Sequence, residues 1–186
     1  LSSIGFILVL FTNRETILLS FGAVSLVAIY PFMKRYTNLP QLVLGVAFSW
    51  GILMAFTAQT GAIPQAAYLL FVGNVLWTVA YDTEYAMVDR EFDIEIGVKS
   101  TAILFGDMDK AIIAMLQMMF IVSMWLAGRQ LEMGIPYYAS LVIACGLLGY
   151  QQYLIRNRLP SPCFSAFLNN NWVGAIIFTG IFLNYI

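Results

Sequence analysis

Six carboxylates crowd the fourteen residues from Asp82 to Glu95, in a chain with only ten acidic residues among 186. They are Asp82, Glu84, Asp89, Glu91, Asp93 and Glu95. Asp82 and Asp89 lie seven apart, Asp93 four further on, and Tyr85 falls in the same period. A continuous helix would set all four on one face. Like charges at that spacing repel, and a divalent cation offsets the repulsion. Mg²⁺ suits such a face, because it is commonly held by one or two carboxylates together with phosphate oxygens and water. Arg90 and Lys99 stand close in sequence, and both are able to take the oxygens of a diphosphate. The same alternation of charges also describes a solvated linker between membrane helices, so the charge pattern alone leaves both readings open. Asp82 ends the apolar run LLFVGNVLWTVAY. An ionisable group at that depth is costly, and marks function by default. Asn74, two turns earlier, points either into the same cavity or to a helix–helix hydrogen bond.

The elements that must position these residues are membrane helices. The chain is 61% hydrophobic and 10% charged, against roughly 25% charged residues in a soluble domain. Net charge is −1, which leaves no basic face for nucleic acid. Histidine is absent, which excludes His-based triads and His-ligated zinc or haem. Cys145 falls in an apolar run and Cys163 in a polar stretch read as a loop; they make neither a disulfide framework nor a metal site. Apolar runs cover 1–12, 16–33, 39–58, 66–86, 108–128, 137–155 and 172–186. Most have the length to cross a bilayer. A β-barrel would alternate apolar and polar residues, so the expectation is a single all-α, multi-pass transmembrane bundle over 1–186. The first run is short for a span, and reads as the tail of a helix in a fragment.

The connections alternate in charge. Lys34, Arg35, Arg90, Lys99, Lys110, Arg156 and Arg158 lie on one side, and only Arg14 and Arg129 on the other. Positive-inside bias then places the acidic loop on the cytoplasmic side.

At these residues the sequence resembles the UbiA superfamily of intramembrane aromatic prenyltransferases, in particular the branch that acts on 4-hydroxybenzoate in ubiquinone biosynthesis. The stretch YDTEYAMVDREFDIEIGVKSTAILFG at 81–106 looks like that family's second aspartate-rich motif, with its Tyr-x-x-x-Asp-x-x-x-Asp core at Tyr85, Asp89 and Asp93. YPFMKRYTNLPQLVLG at 30–45 and FLNNNWVG at 167–174 also match. The resemblance implies a UbiA-type bundle with about seven of the family's nine helices present by length. The first two helices, and the first motif of the Asn-Asp-x-x-Asp-x-x-x-Asp type, have no counterpart here.

The resemblance further implies a reaction. A polyprenyl diphosphate lies with its tail in the bilayer, Mg²⁺ on Asp89 and Asp93 takes its head, and the allylic cation that forms is attacked by the ring of 4-hydroxybenzoate ortho to the hydroxyl. Asp82 joins the metal or orients the acceptor, and Tyr85 faces the cation. Lys99 and Arg90 hold diphosphate, and Arg35 grips the benzoate carboxylate; Arg35 and Tyr85 read equally as interfacial residues. The partners implied are these two substrates and the lipid bilayer of a bacterial inner membrane, or of a mitochondrial one. No nucleic acid and no protein partner is implied. Phe120, Trp125, Met115, Met118 and Met119 pack or face lipid. Within the family the alternative is another aromatic acceptor, such as a dihydroxynaphthoate or homogentisate, and two other classes compete. A transporter would carry charge at its span centres and often an internal repeat, and neither is found. A purely structural subunit gives no reason to gather the carboxylates.

Overall fold

The computed structural model describes residues 2–186, and the side chains of all but Ser2, Ser3 and Lys34 among them. Leu1, the first residue of the first apolar run, lies outside the described residues. Helix α1 spans Ser2–Val9, α2 Arg14–Tyr36, α3 Pro40–Thr60 and α4 Gln65–Val88. Two short helices follow, α5 Arg90–Glu95 and α6 Thr101–Phe105, then a 3₁₀ turn at Gly106–Met108. The rest is α7 Asp109–Gln130, α8 Ile135–Ile155 and α9 Pro160–Asn184. No strand occurs among the described residues. Five of the helical segments are long and apolar enough to cross a membrane: those within Arg14–Met33, Pro40–Thr60, Thr101–Gln130, Ile135–Ile155 and Pro160–Asn184. The all-helical membrane bundle expected from composition is therefore what forms.

Helix α4 is the pivot. It packs against α3, α7 and α9, while α8 packs on α9 and α7, and α2 and α1 extend outward from α3. Its own polar residues, Asn74, Asp82 and Glu84, dilute its hydropathy, and it is buried by neighbouring helices rather than by lipid. Close approach rests on small residues, as expected where apolar lipid gives helices no hydrophobic reason to associate. A Cβ on Gly73 would come within 3.1 Å of Ser123, where α4 meets α7. Outward faces carry Met115, Met118, Met119 and Trp125, whereas Phe120 is buried and stacks on Trp77 with ring centroids 5.2 Å apart.

Two boundaries differ from the sequence reading. The stretch 156–171 is not a loop; helix α9 starts at Pro160, in the first turn, where a missing N–H costs nothing. Its asparagines do not break the helix, because Asn169 and Asn170 find side-chain partners inside the bundle. Cys163 consequently sits fully buried in a helix. The second difference is a break at Asp89. Helix α4 ends at Val88, and α5 begins at Arg90. The four residues Asp82, Tyr85, Asp89 and Asp93 therefore do not share one uninterrupted helical face.

Candidate active site at the loop end of the bundle

Consecutive helices alternate in direction, so the 37–39, 89–108 and 156–159 connections gather at one end. Lys110 Nζ at the start of α7 donates to Arg156 O at the end of α8 (3.0 Å), and Thr101 N donates to Gln41 Oε1 at the start of α3 (3.1 Å). The acidic segment lies at this end. The Asp93 N–H donates to Asp89 O (2.8 Å), so the two aspartates are one helical turn apart across the break. Asp93 is nearly buried and Asp89 half-buried. Gly97, at φ +72°, ends α5. Val98 N–H returns to Asp93 O (2.9 Å) and Gly97 N–H to Ile94 O (3.3 Å). This pair of bonds is the Schellman closure that a left-handed residue permits. It delivers Lys99, half-buried, directly ahead of Ser100, whose hydroxyl caps α6 by accepting from Ile103 N. Thr101 shares a hydroxyl hydrogen bond of 2.7 Å with Thr83 of α4.

Tyr85 is 38% exposed, and its ring lies against Phe167 (5.1 Å) and Phe164 (6.4 Å) of α9. One turn deeper, Tyr81 meets Trp77 edge-on (5.7 Å) and Phe167 at 6.0 Å. These rings run into a cleft of about 340 Å³ between α3, α4 and α9, lined by Phe48, Asn74, Trp77, Tyr81, Phe167 and Asn170. Asn74 makes the expected helix–helix hydrogen bond, donating to Ser49 Oγ of α3 (2.9 Å), and lines this cleft, of which Asp82 is not a lining residue. Asp82 is half-buried, within electrostatic reach of Tyr30 on α2. Arg35, on the last turn of α2, is exposed.

Arg90 does not point outward with Lys99. Its guanidinium turns into the protein and donates to Asp109 Oδ2 (2.7 Å), Gly106 O (3.2 Å) and Ala102 O. Asp109 is fully buried and needs a cationic partner, which Arg90 supplies.

Glu84 counts with the acidic segment in sequence, but not in space. Two residues from Asp82, it is turned by about 200° around the helix and is fully buried. It accepts from Gln117 Nε2 of α7 (3.3 Å) and Asn170 Nδ2 of α9 (3.1 Å). Gln117 Nε2 also donates to Gln151 Oε1 (2.8 Å), while Gln152 Nε2 donates to Gln117 Oε1 (2.9 Å). Trp77 Nε1 donates to Asn170 Oδ1 (2.7 Å). Sequence reading missed this four-helix network. Its signals were the helical phase of Glu84 and three consecutive asparagines in an apolar run.

Among the described residues, no group of three or more Asp, Glu or Cys side chains is arranged to hold a metal ion. Asp89 and Asp93, hard oxygen donors one turn apart, fit the smaller contribution that Mg²⁺ takes from protein when phosphate and water complete its shell.

Residues 1–179 match the UbiA prenyltransferase family. The chain belongs to that family. Within it, the 4-hydroxybenzoate octaprenyltransferase of Saccharophagus degradans (strain 2-40) is 61% identical over 181 residues, 97% of this chain and 60% of the relative. The protein of the same name from Hahella chejuensis is 56% identical over 186 residues, 100% of this chain and 62% of the relative. The chain thus spans about three fifths of the length of these curated relatives. Among solved structures, the apo structure of a UbiA homolog from Aeropyrum pernix K1 superposes with a TM-score of 0.83 at 22% identity, over 100% of this chain and 70% of that one. A structure of digeranylgeranylglyceryl phosphate synthase in membranes gives 0.80 at 18% identity, over 97% of this chain and 64% of that one. Both share the UbiA fold.

Proposed function

We propose that this chain carries the greater part of an intramembrane prenyltransferase that moves a polyprenyl group from its diphosphate to the ring carbon ortho to the hydroxyl of 4-hydroxybenzoate. The observation that carries the reading is identity of 55–61% along nearly the whole chain to proteins named 4-hydroxybenzoate octaprenyltransferase. The aspartate turn, the aromatic wall and the inserted loop at one end of an apolar bundle support it.

Asp89 and Asp93 would hold Mg²⁺, which supplies neutralisation of the charge that develops on the departing diphosphate. Lys99 takes diphosphate oxygens from the turn that Gly97 and Ser100 fix. Tyr85, with Phe164 and Phe167 behind it, presents a ring face to the allylic carbon as positive charge develops there. Asp82 orients the acceptor hydroxyl from the neighbouring turn. Arg35 binds the benzoate carboxylate at the exposed end of α2. The family's first aspartate-rich motif, if carried in the part of the curated relatives that this chain does not cover, would complete the diphosphate site. Seven of the nine basic residues lie at this end of the bundle or in its connections, which orients it to the cytoplasm of a bacterial inner membrane.

The test is prenyl transfer by the complete gene product in detergent or vesicles, with 4-hydroxybenzoate and a polyprenyl diphosphate, with and without Mg²⁺. Turnover that needs Mg²⁺ and is lost in D89N and D93N supports the reading; Mg²⁺-dependent turnover that survives both substitutions sinks the metal assignment.

A further inference from the structure

Asp109 is the first residue of α7, fully buried, and its carboxylate accepts hydrogen bonds from three residues. Arg158 donates from Nε to both carboxylate oxygens (3.1 and 2.9 Å), and from its terminal nitrogen to Oδ1 (2.9 Å) and to Asp107 O (2.8 Å). Arg90 donates to Oδ2 (2.7 Å), and the Lys110 N–H to Oδ1 (2.6 Å). The carboxylate in turn raises the pKa of Arg158 above its ordinary value, first through these hydrogen bonds. Arg158 reaches in from the α8–α9 turn with φ +55°, a left-handed backbone that non-glycine residues adopt uncommonly.

The position of Arg90 in the chain gives this cluster its meaning. Arg90 directly follows Asp89, the residue at which α4 breaks. Helix α5 has six residues, too few to hold itself in water. The placement of Asp89 and Asp93 therefore depends on what anchors the break from outside. The Arg90 guanidinium does so, tying it to Asp109, to Gly106 O and to Ala102 O, and so to α7, the 3₁₀ turn and α6 together.

We propose that Asp109 is a positioning residue, which clamps Arg90 and Arg158 together so that the Asp89–Asp93 turn and the Lys99 connection are held for a divalent cation and diphosphate. The proposal rests on the function proposed above. It predicts a selective effect: the clamp serves the cation–diphosphate half of the site and not the aromatic acceptor.

The experiment is a Mn²⁺ titration read by electron paramagnetic resonance, with inorganic diphosphate present, on the complete gene product in detergent. Mn²⁺ is the paramagnetic stand-in for Mg²⁺. Wild type, D109N, R158A and D89N are compared, each with its melting temperature and its KM for both substrates. Residues that orient a metal's ligands typically change affinity by about 10-fold or more. D109N and R158A should weaken Mn²⁺ by that factor and raise the KM for prenyl diphosphate, with the KM for 4-hydroxybenzoate unmoved. Should D109N fail to fold, R158A decides alone: it breaks the clamp, while Asp109 keeps Arg90 as the cationic partner that a buried carboxylate needs for folding. Unchanged Mn²⁺ affinity in a folded variant overturns the proposal. So does an equal rise in both KM values alongside a lowered melting temperature, which marks support of the fold and nothing more. D89N separates the two readings: if it leaves Mn²⁺ binding intact, the metal assignment itself falls, and the clamp with it. If D89N weakens binding and the clamp variants do not, only the clamp falls.

Discussion

Two carboxylates in this bundle are fully buried, Asp109 at the loop end and Glu84 towards the same end of α4, and they are satisfied by opposite means. Asp109 meets two guanidinium groups and a backbone N–H. Glu84 meets the side-chain amides of Gln117 and Asn170. The loop end can gather cations because long basic side chains reach in from partly exposed positions, with Arg90 and Arg158 21% and 31% exposed. Just beneath, where Glu84 lies, neutral amides supply the donors from helices already packed together. The first arrangement ties connections to one another. The second ties α4, α7, α8 and α9 into one body and fixes Asn170 and Trp77 on the wall of the cleft. A site that must take a charged head group and a hydrophobic tail thus has an ionic frame at one end and an amide frame beneath it.

Substitutions that separate these frames test the comparison. The largest effect is expected at Asp89 or Asp93. Loss of one stabilising group for developing charge costs on the order of 10²–10³-fold in turnover, so D89N and D93N should lower kcat by that much with little change in melting temperature. Asp109 should combine weakened metal binding with a loss of stability. Removing one partner of a buried ion pair costs about 3–5 kcal/mol, and a thermal melt of D109N should register a large fall. In the amide frame, E84Q keeps shape but turns an NH₂ toward a donor that its partners cannot reverse, since Trp77 holds Asn170 and Gln152 holds Gln117. An unsatisfied buried donor costs about 1–3 kcal/mol; a melt unaffected by E84Q would mean the network does not bind the four helices together. Arg35 belongs to neither frame. Losing a charge-assisted bond of about 1.5 kcal/mol should raise the KM for 4-hydroxybenzoate about 10-fold in R35A, and an unchanged KM would remove Arg35 from the acceptor site. The smallest effect is W77F, which deletes the bond to Asn170 and should cost about 1 kcal/mol.

Much of the architecture was legible without coordinates. Runs of apolar residues have the length of membrane spans, and backbone polar groups in lipid must be satisfied within the segment, so helices followed from composition. That Lys99 follows the acidic segment closely is likewise a matter of position along the chain, through the turn at Gly97. The misreadings have local causes. The asparagines at 169–171 looked like a loop because their partners lie on α4 and α8, far away in sequence. The contact of Arg90 with Asp109, nineteen residues on, was not foreseen, because nothing in the sequence between them marks the pair. Glu84 was grouped with Asp82 by proximity, although helical phase already set them on different faces.

What the sequence by itself determined is therefore what depends on solvent and on neighbours along the chain: an apolar helical bundle, a carboxylate-rich segment at its boundary, and an aspartate turn with a nearby lysine. What only the tertiary structure decided is which buried charge meets which partner. Burial makes an unpaired polar group costly wherever it lies, but the group that relieves it is chosen by helix packing, which brings Arg158 to Asp109 and Asn170 to Glu84 from segments far apart along the chain.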